Sequence, residues 1–181
     1  MPAAERLAHS LRQRALASLS RREYGRTELS RKLLQWLRRQ PPEVLGVTEA
    51  PGDEAAPSPA TSPASFPALV DSVLDGLAAS GWLDEARAVE SRVRQREGGR
   101  GLRRIEQELQ QLGQRLDAPL RDRLRDSELA RAHALWSRRY GQPPLDERER
   151  ARQSRFLLSR GFGMDTVRQL WAGWEPPQDE A

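Results

Sequence analysis

No cysteine occurs among the 181 residues, which excludes disulfides and thiolate metal sites. Histidine is scarce as well. His9 and His133 fall in separate segments without HxxxH spacing, which leaves little for a zinc site, and both read as surface or packing residues. No window approaches the roughly 18 uninterrupted apolar residues of a membrane-spanning helix. The opening Met1-Pro-Ala-Ala-Glu-Arg-Leu7 lacks the apolar stretch of a secretory signal. The expectation is a cytoplasmic protein without a membrane partner. Aromatic residues make up only 6% of the chain, although five of them are Trp. Hydrophobic residues are 37% against 31% charged, and mean hydropathy is −0.77, so any core must be thin and stretched. Lysine is nearly missing: Lys32 is the sole Lys beside 29 Arg. A GC-rich genome accounts for that bias, which by itself identifies no partner.

What is present is patterned. Residues 1–39 carry a net charge of +7, residues 40–85 carry −8 with no basic side chain, and residues 86–181 carry +5. Seven prolines lie between Pro41 and Pro67 among Ala, Ser, Gly and acids, which reads as a disordered insertion at about 41–65. Everything else reads as helix. Leu7, Leu11, Ala15 and Leu19 mark a first helix to about Arg22. Leu29, Leu33, Trp36 and Leu37 mark a second. Phe66, Val70, Val73, Leu74 and Leu77 mark a third, stopped at Gly81 with Trp82 folding back as the apolar partner of the cap. Ala86, Val89 and Val93 open a second cycle, followed by Leu102, Ile105, Leu109 and Leu112 up to Gly113. Asp117-Ala-Pro119 then reads as an N-cap with a first-turn proline before Leu120 and Leu124. Leu129, Ala132, Leu135, Trp136 and Tyr140 open a third cycle. Asp146 with Glu149 forms a variant capping box before Phe156, Leu157 and Leu158, and Met164, Val167, Leu170 and Trp171 finish the set.

No segment alternates with period two for long enough to suggest a strand. Three helix tips resemble one another: Ser20-Arg-Arg-Glu-Tyr-Gly25, Arg94-Gln-Arg-Glu-Gly-Gly99 and Ser137-Arg-Arg-Tyr-Gly141. Superimposing the cycles pairs Leu109 with Leu157 and Gly113 with Gly161. The fold class expected is all-α, an elongated right-handed array of three tandem three-helix repeats resembling helix-turn-helix units. The units are placed at 1–85 with the insertion inside, 86–126 and 127–174, followed by a disordered acidic tail at 175–181.

Three blocks carry a family resemblance. Ala15-Leu-Ala-Ser-Leu-Ser-Arg-Arg-Glu-Tyr-Gly-Arg-Thr-Glu-Leu29, Leu74-Asp-Gly-Leu-Ala-Ala-Ser-Gly-Trp-Leu-Asp-Glu85 and Arg155-Phe-Leu-Leu-Ser-Arg-Gly-Phe162 resemble, in this order, the RecX family of RecA-regulating proteins. Gly25 stands where that family commonly has a capping Ser, with Glu28 in the capping-box position. The resemblance implies tandem three-helix units that bind within the groove of the RecA filament and restrain strand exchange, ATP hydrolysis and coprotease activity. It implies no catalysis and no cofactor.

The residues themselves offer little chemistry. Glu97-Gly-Gly-Arg-Gly101 lacks the preceding strand and the Gly-Lys-Ser/Thr of a P-loop. It reads as a helix–helix turn, the alternative being an anion site at the next helix start beside Arg100, Arg103 and Arg104. Trp36, Trp136 and Trp171 fall in phase with apolar stripes, so core packing is preferred over stacking on bases. The sharper candidates are arginines: Arg21, Arg22 and Arg26 at the first junction, and Arg94, Arg96, Arg100, Arg103 and Arg104 at the second. Arg138 and Arg139 mark the third, with Arg155 and Arg160 on the helix beyond. Such a set reads as a solvated face or as a surface for phosphates or acidic protein. The binding reading makes this a monomeric regulator of the RecA nucleoprotein filament, with direct contact to single- or double-stranded DNA as a further expectation. The rivals are a DNA-binding protein of stacked helix-turn-helix units and a helical-repeat scaffold adaptor. Deleting residues 42–64 behind a short Gly/Ser bridge should leave the thermal midpoint almost unchanged; a loss above about 2 kcal/mol would mean that the segment packs on the core.

Overall fold

The computed structural model describes residues 3–41 and 64–172, and these form nine α-helices and no strand. They are α1 (Ala3–Leu19), α2 (Arg26–Leu37), α3 (Phe66–Ala79), α4 (Glu85–Arg96), α5 (Leu102–Gln111), α6 (Ala118–Asp126), α7 (Glu128–Arg139), α8 (Glu147–Ser159) and α9 (Met164–Leu170). The proline-rich insertion lies outside the described residues except for Pro41, Ala64 and Ser65, and so do the acidic tail and Trp174. The chain divides into two compact units, one ending at Ala88 and the other beginning at Val89, within α4.

In the first unit α3 packs against both α1 and α2. Leu7, Leu11 and Ala15 repeat every four residues on α1, which places them on one face. They meet Leu29, Leu33 and Leu37 of α2 and Phe66, Val70, Leu74 and Leu77 of α3, all buried. Each fully buried Leu contributes roughly 1.5–3 kcal/mol, so this one cluster outweighs any surface ion pair nearby. Trp36 packs against the cluster and carries the Arg14 guanidinium 4.9 Å above its ring.

The second unit holds two smaller clusters. Val89, Val93, Ile105, Leu109, Leu116, Leu120 and Leu124 form one; Ala132, Leu157, Phe162 and Val167 form the other. Trp136 and Trp171 pack on the latter and meet edge to face at 5.8 Å. Their indole N–H groups donate to Gln153 Oε1 at 2.6 Å and Ser154 Oγ at 2.8 Å. A large apolar ring with its one polar atom satisfied belongs in a thin core. Gln153 is itself buried because it serves as that acceptor.

Local signals hold in most places. Asp117 caps α6 by accepting from Leu120 N–H at 2.9 Å, and Asp146 caps α8 by accepting from Glu149 N–H at 2.6 Å. Glu149 returns a bond to Leu145 N–H instead of to Asp146, which makes the box a variant one. Some details differ from the sequence reading. Helix α1 ends at Leu19, short of Arg22, because its last turn tightens: Arg21 N–H reaches Ser18 O at 3.1 Å, and the Ser18 and Ser20 hydroxyls donate back to carbonyls of the same helix. At the end of α3 the backbone closes as expected, with Gly81 at φ 74° and Trp82 N–H donating to Leu77 O at 2.9 Å. The apolar partner of that cap is Leu83, which is buried, whereas Trp82 is 53% exposed. Leu129 and Met164, placed on the apolar stripes of α7 and α9, are exposed as well.

Two glycines interlock α5 with the turn between α8 and α9. A Cβ on Gly101 would lie 2.2 Å from Phe162 N, and one on Gly161 would lie 2.4 Å from Arg104 Cβ. Gly101 N–H donates to Arg160 O at 3.0 Å across the contact. The backbones touch, and no side chain fits between them. In the same turn Gly98 and Gly99 have open space around their Cβ directions. Gly101→Ala should therefore lower stability by more than about 2 kcal/mol in urea melts, while Gly98→Ala stays within about 0.5 kcal/mol.

Candidate functional site

Three helix starts are held by carboxylates borrowed from elsewhere. Helices α2 and α5 both have glycine N-caps, Gly25 and Gly101, which supply no capping side chain. Glu85, the first residue of α4, accepts from Arg26 N–H at 2.9 Å at the start of α2. Glu128, the first residue of α7, accepts from Leu102 N–H at 2.7 Å at the start of α5. Glu128 also takes the Thr166 hydroxyl at 2.6 Å, beside Gly163 N–H at 3.4 Å at the start of α9. One buried carboxylate thus serves two helix N-termini, where negative charge is favoured.

An arginine completes each joint. Arg87 pairs with Glu23 at 2.7 Å and donates to the Gly81 and Trp82 carbonyls just beyond α3. Arg131 donates to Leu124 O at 2.7 Å near the end of α6, to Glu97 O at 3.0 Å and to Arg100 O at 2.6 Å. Burial pushes the Arg131 guanidinium below its ordinary pKa, opposed by the charges of Glu128 and Glu97, and an arginine stays charged regardless. Neither Glu nor its Arg was among the candidates read from sequence. The signal was there: Glu85-Ala-Arg87 and Glu128-Leu-Ala-Arg131 both open a helix after a cap.

The candidate arginines divide into engaged and open ones. At the first junction Arg22 forms a two-point pair with Glu28 and stacks 3.7 Å above the Tyr24 ring. The hydrogen bond to Glu28 raises the Arg22 pKa. Arg26 binds Asp75 at 2.7 Å and Asp71 at 3.3 Å, and its pKa rises chiefly through the bond to Asp75. At the second junction Arg96, Arg100 and Arg104 converge on one carboxylate, that of Glu108, at 3.1, 3.7 and 3.3 Å. At the third, Arg138 donates to Gly98 O at 2.7 Å, which joins the end of α7 to the 97–100 turn. The second and third junctions therefore form one basic surface. Arg160 stacks 5.2 Å above Phe156. Arg155 lines a shallow groove of about 460 Å³ along α8 with Arg148 and Arg152. The side chains of Arg21, Arg94, Arg103, Arg139 and Arg155 have no hydrogen-bond or ion-pair partner among the described residues.

Among the described residues, no cluster of three or more His, Asp or Glu side chains is placed to hold a metal, and no helix is long and apolar enough to cross a membrane. Fold and surface define a protein of tandem three-helix units that presents an arginine-rich turn. Comparison with known proteins gives the family. The family model described as "RecX, third three-helix domain" matches residues 126–171. The "Regulatory protein RecX" of Leptothrix cholodnii is 44% identical over 163 residues, covering 89% of this chain and 87% of that protein. The protein of the same name from Ralstonia pickettii is 38% identical over 91% of this chain and 87% of its own length. The crystal structure of RecX from Lactobacillus salivarius shares the fold, with a TM-score of 0.56 over 92% of this chain and 96% of that one, at 16% identity. The chain belongs to the RecX family of regulatory proteins.

The joint yields a direct test. Glu128→Ala strands buried donors at α5 and α9 and should lower stability by about 2 kcal/mol or more in urea denaturation. Glu85→Ala, at an exposed joint, should stay below about 1 kcal/mol.

Proposed function

We propose that this protein binds the RecA nucleoprotein filament as a monomer in the cytoplasm and restrains RecA strand exchange, ATP hydrolysis and coprotease activity, catalysing nothing itself and needing no cofactor. The single observation that carries the reading is the basic surface at the 97–100 turn. There the second and third junctions meet through Arg138 and Gly98, and the Arg94, Arg103 and Arg139 side chains have no partner among the described residues. Family membership supports RecA as the partner. The unit boundaries proposed are 1–85, 86–126 and 127–174. A filament repeats its surface, so weak contacts at successive units multiply.

The arrangement suits restraint more than chemistry. Guanidinium groups match carboxylate and phosphate in a two-point geometry, and a set of them on a rigid turn fixes the register of an elongated anionic partner. Such contacts are screened by salt, and phosphate contacts release counterions as well. Binding should therefore weaken steeply between low and physiological ionic strength.

The test is RecA ATPase on single-stranded DNA with and without this protein, inhibition being the expected outcome and unchanged turnover the opposing one. Reversing the open arginines Arg94, Arg103 and Arg139 to Glu should weaken filament binding at least tenfold, about 1.4 kcal/mol, at unchanged helicity. The charge-matched control reverses Arg121, Arg125 and Arg168, which pair with Glu106, Asp122 and Asp165. Equal losses from both sets would reduce the surface to net charge.

A further inference from the structure

We propose that Glu108 is an internal stand-in for a phosphate group of a nucleic-acid strand, and that the Arg96, Arg100 and Arg104 side chains around it are a preassembled phosphate site. The proposal rests on the reading of the 97–100 turn as the binding surface, and adds the ligand group and the residue that competes with it.

The geometry is specific. The Arg96 Nε lies 3.1 Å from Glu108 Oε2, while the Nε atoms of Arg100 and Arg104 lie 3.7 and 3.3 Å from Oε1. The three come from different places: the last turn of α4, the loop, and the first turn of α5. Their convergence is therefore a product of folding, not of helical spacing alone. Three unit charges face one carboxylate, so the cluster keeps a surplus of two positive charges. A carboxylate has two oxygens for three guanidinium forks, whereas a phosphodiester adds acceptor oxygens in a tetrahedral arrangement that such forks match. Glu108 keeps 19% of its side chain exposed and the arginines keep 27–45%, so the site is open to an incoming strand.

The mounting is rigid on one side. The backbone at Gly101 and Arg104 is locked against Phe162 and Gly161 by the glycine interlock, and Arg131 holds the Arg100 carbonyl from behind. Preorganised cations lose little freedom on binding, which is what a phosphate site requires. Glu108 then sets the affinity. An incoming phosphate must displace a tethered anion, so binding to DNA is held down, and the arginines stay oriented while no ligand is present.

The experiment compares Glu108→Gln with Glu106→Gln, an equal charge change on the same helix, where Glu106 pairs with Arg121 at 2.7 Å. Binding of a fluorescent single-stranded oligonucleotide, without RecA, is measured by anisotropy over a salt series. Glu108→Gln should tighten binding at least threefold more than Glu106→Gln does, and steepen the plot of log affinity against log salt by about 0.7, one further phosphate contact. Gln preserves helix propensity and an acceptor oxygen, and a melting curve shows that the variants fold. An Arg104→Gln change in the Glu108→Gln background should remove the gain. Equal effects of Glu108→Gln and Glu106→Gln, or no gain in affinity, overturn the stand-in. RecA ATPase inhibition is measured on the same proteins. If inhibition persists while the oligonucleotide arm shows no difference, the stand-in fails and the filament reading stands; if inhibition is absent in the unsubstituted protein, the filament reading fails on its own.

Discussion

A buried carboxylate at the first position of α7 holds much of the second unit in place. Glu128 gathers Leu102 N–H and the Thr166 hydroxyl, so the starts of α5 and α9 are fixed by one residue. That demand explains its neighbours. The N-cap positions ahead of α5 and α9 are glycines, Gly101 and Gly163, because the capping oxygen arrives from outside. With no side chain at 101 and 161, the two backbones can approach until they touch. Arg131, one turn along α7, then takes the carbonyls of Glu97, Arg100 and Leu124, which have no helical donor to meet them. Remove the carboxylate and each of these features loses its reason.

Polar groups take this role because apolar ones are scarce. The clusters of the second unit are small, and Ala132, Leu157, Phe162 and Val167 constitute one of them. Aromatic edges with satisfied N–H groups extend that core, and the hydrogen bonds of Glu128 and Arg131 tie its helix ends together. Arginine accordingly divides into two sets here. Arg22, Arg26, Arg87 and Arg131 are consumed by carboxylates and carbonyls of the chain itself, whereas the Arg94, Arg103 and Arg139 side chains meet no such group among the described residues.

How much of this was legible depends on range. The helices, the Asp117 and Asp146 caps, and the glycine stop at 81 are local, carried by period and cap chemistry within a few residues, and they can be read directly. The exposure of Trp82 was not legible, because Trp82 and Leu83 are adjacent apolar residues and only the packing of α3 decides which one turns inward. Glu85 and Glu128 escaped for a different reason. Their partners lie 59 and 26 residues away, and a Glu at a helix start looks the same whether it caps its own helix or another. Among the arginines, the sequence shows where they group along the chain but cannot separate open from engaged members. That distinction rests on distant acids such as Asp75 and Glu108.

Borrowed caps give the chain a direction in time. As synthesis proceeds, the amino end of α2 stays unsealed until Glu85 emerges, and that of α5 until Glu128 does. Helix α8 waits for nothing, since Asp146 comes immediately before it. The earlier segments are completed by what is made after them, while α8 seals itself. Appending a further copy beyond it would gain nothing from that arrangement, whereas a copy inserted upstream would find its missing carboxylate already supplied by the helix that follows.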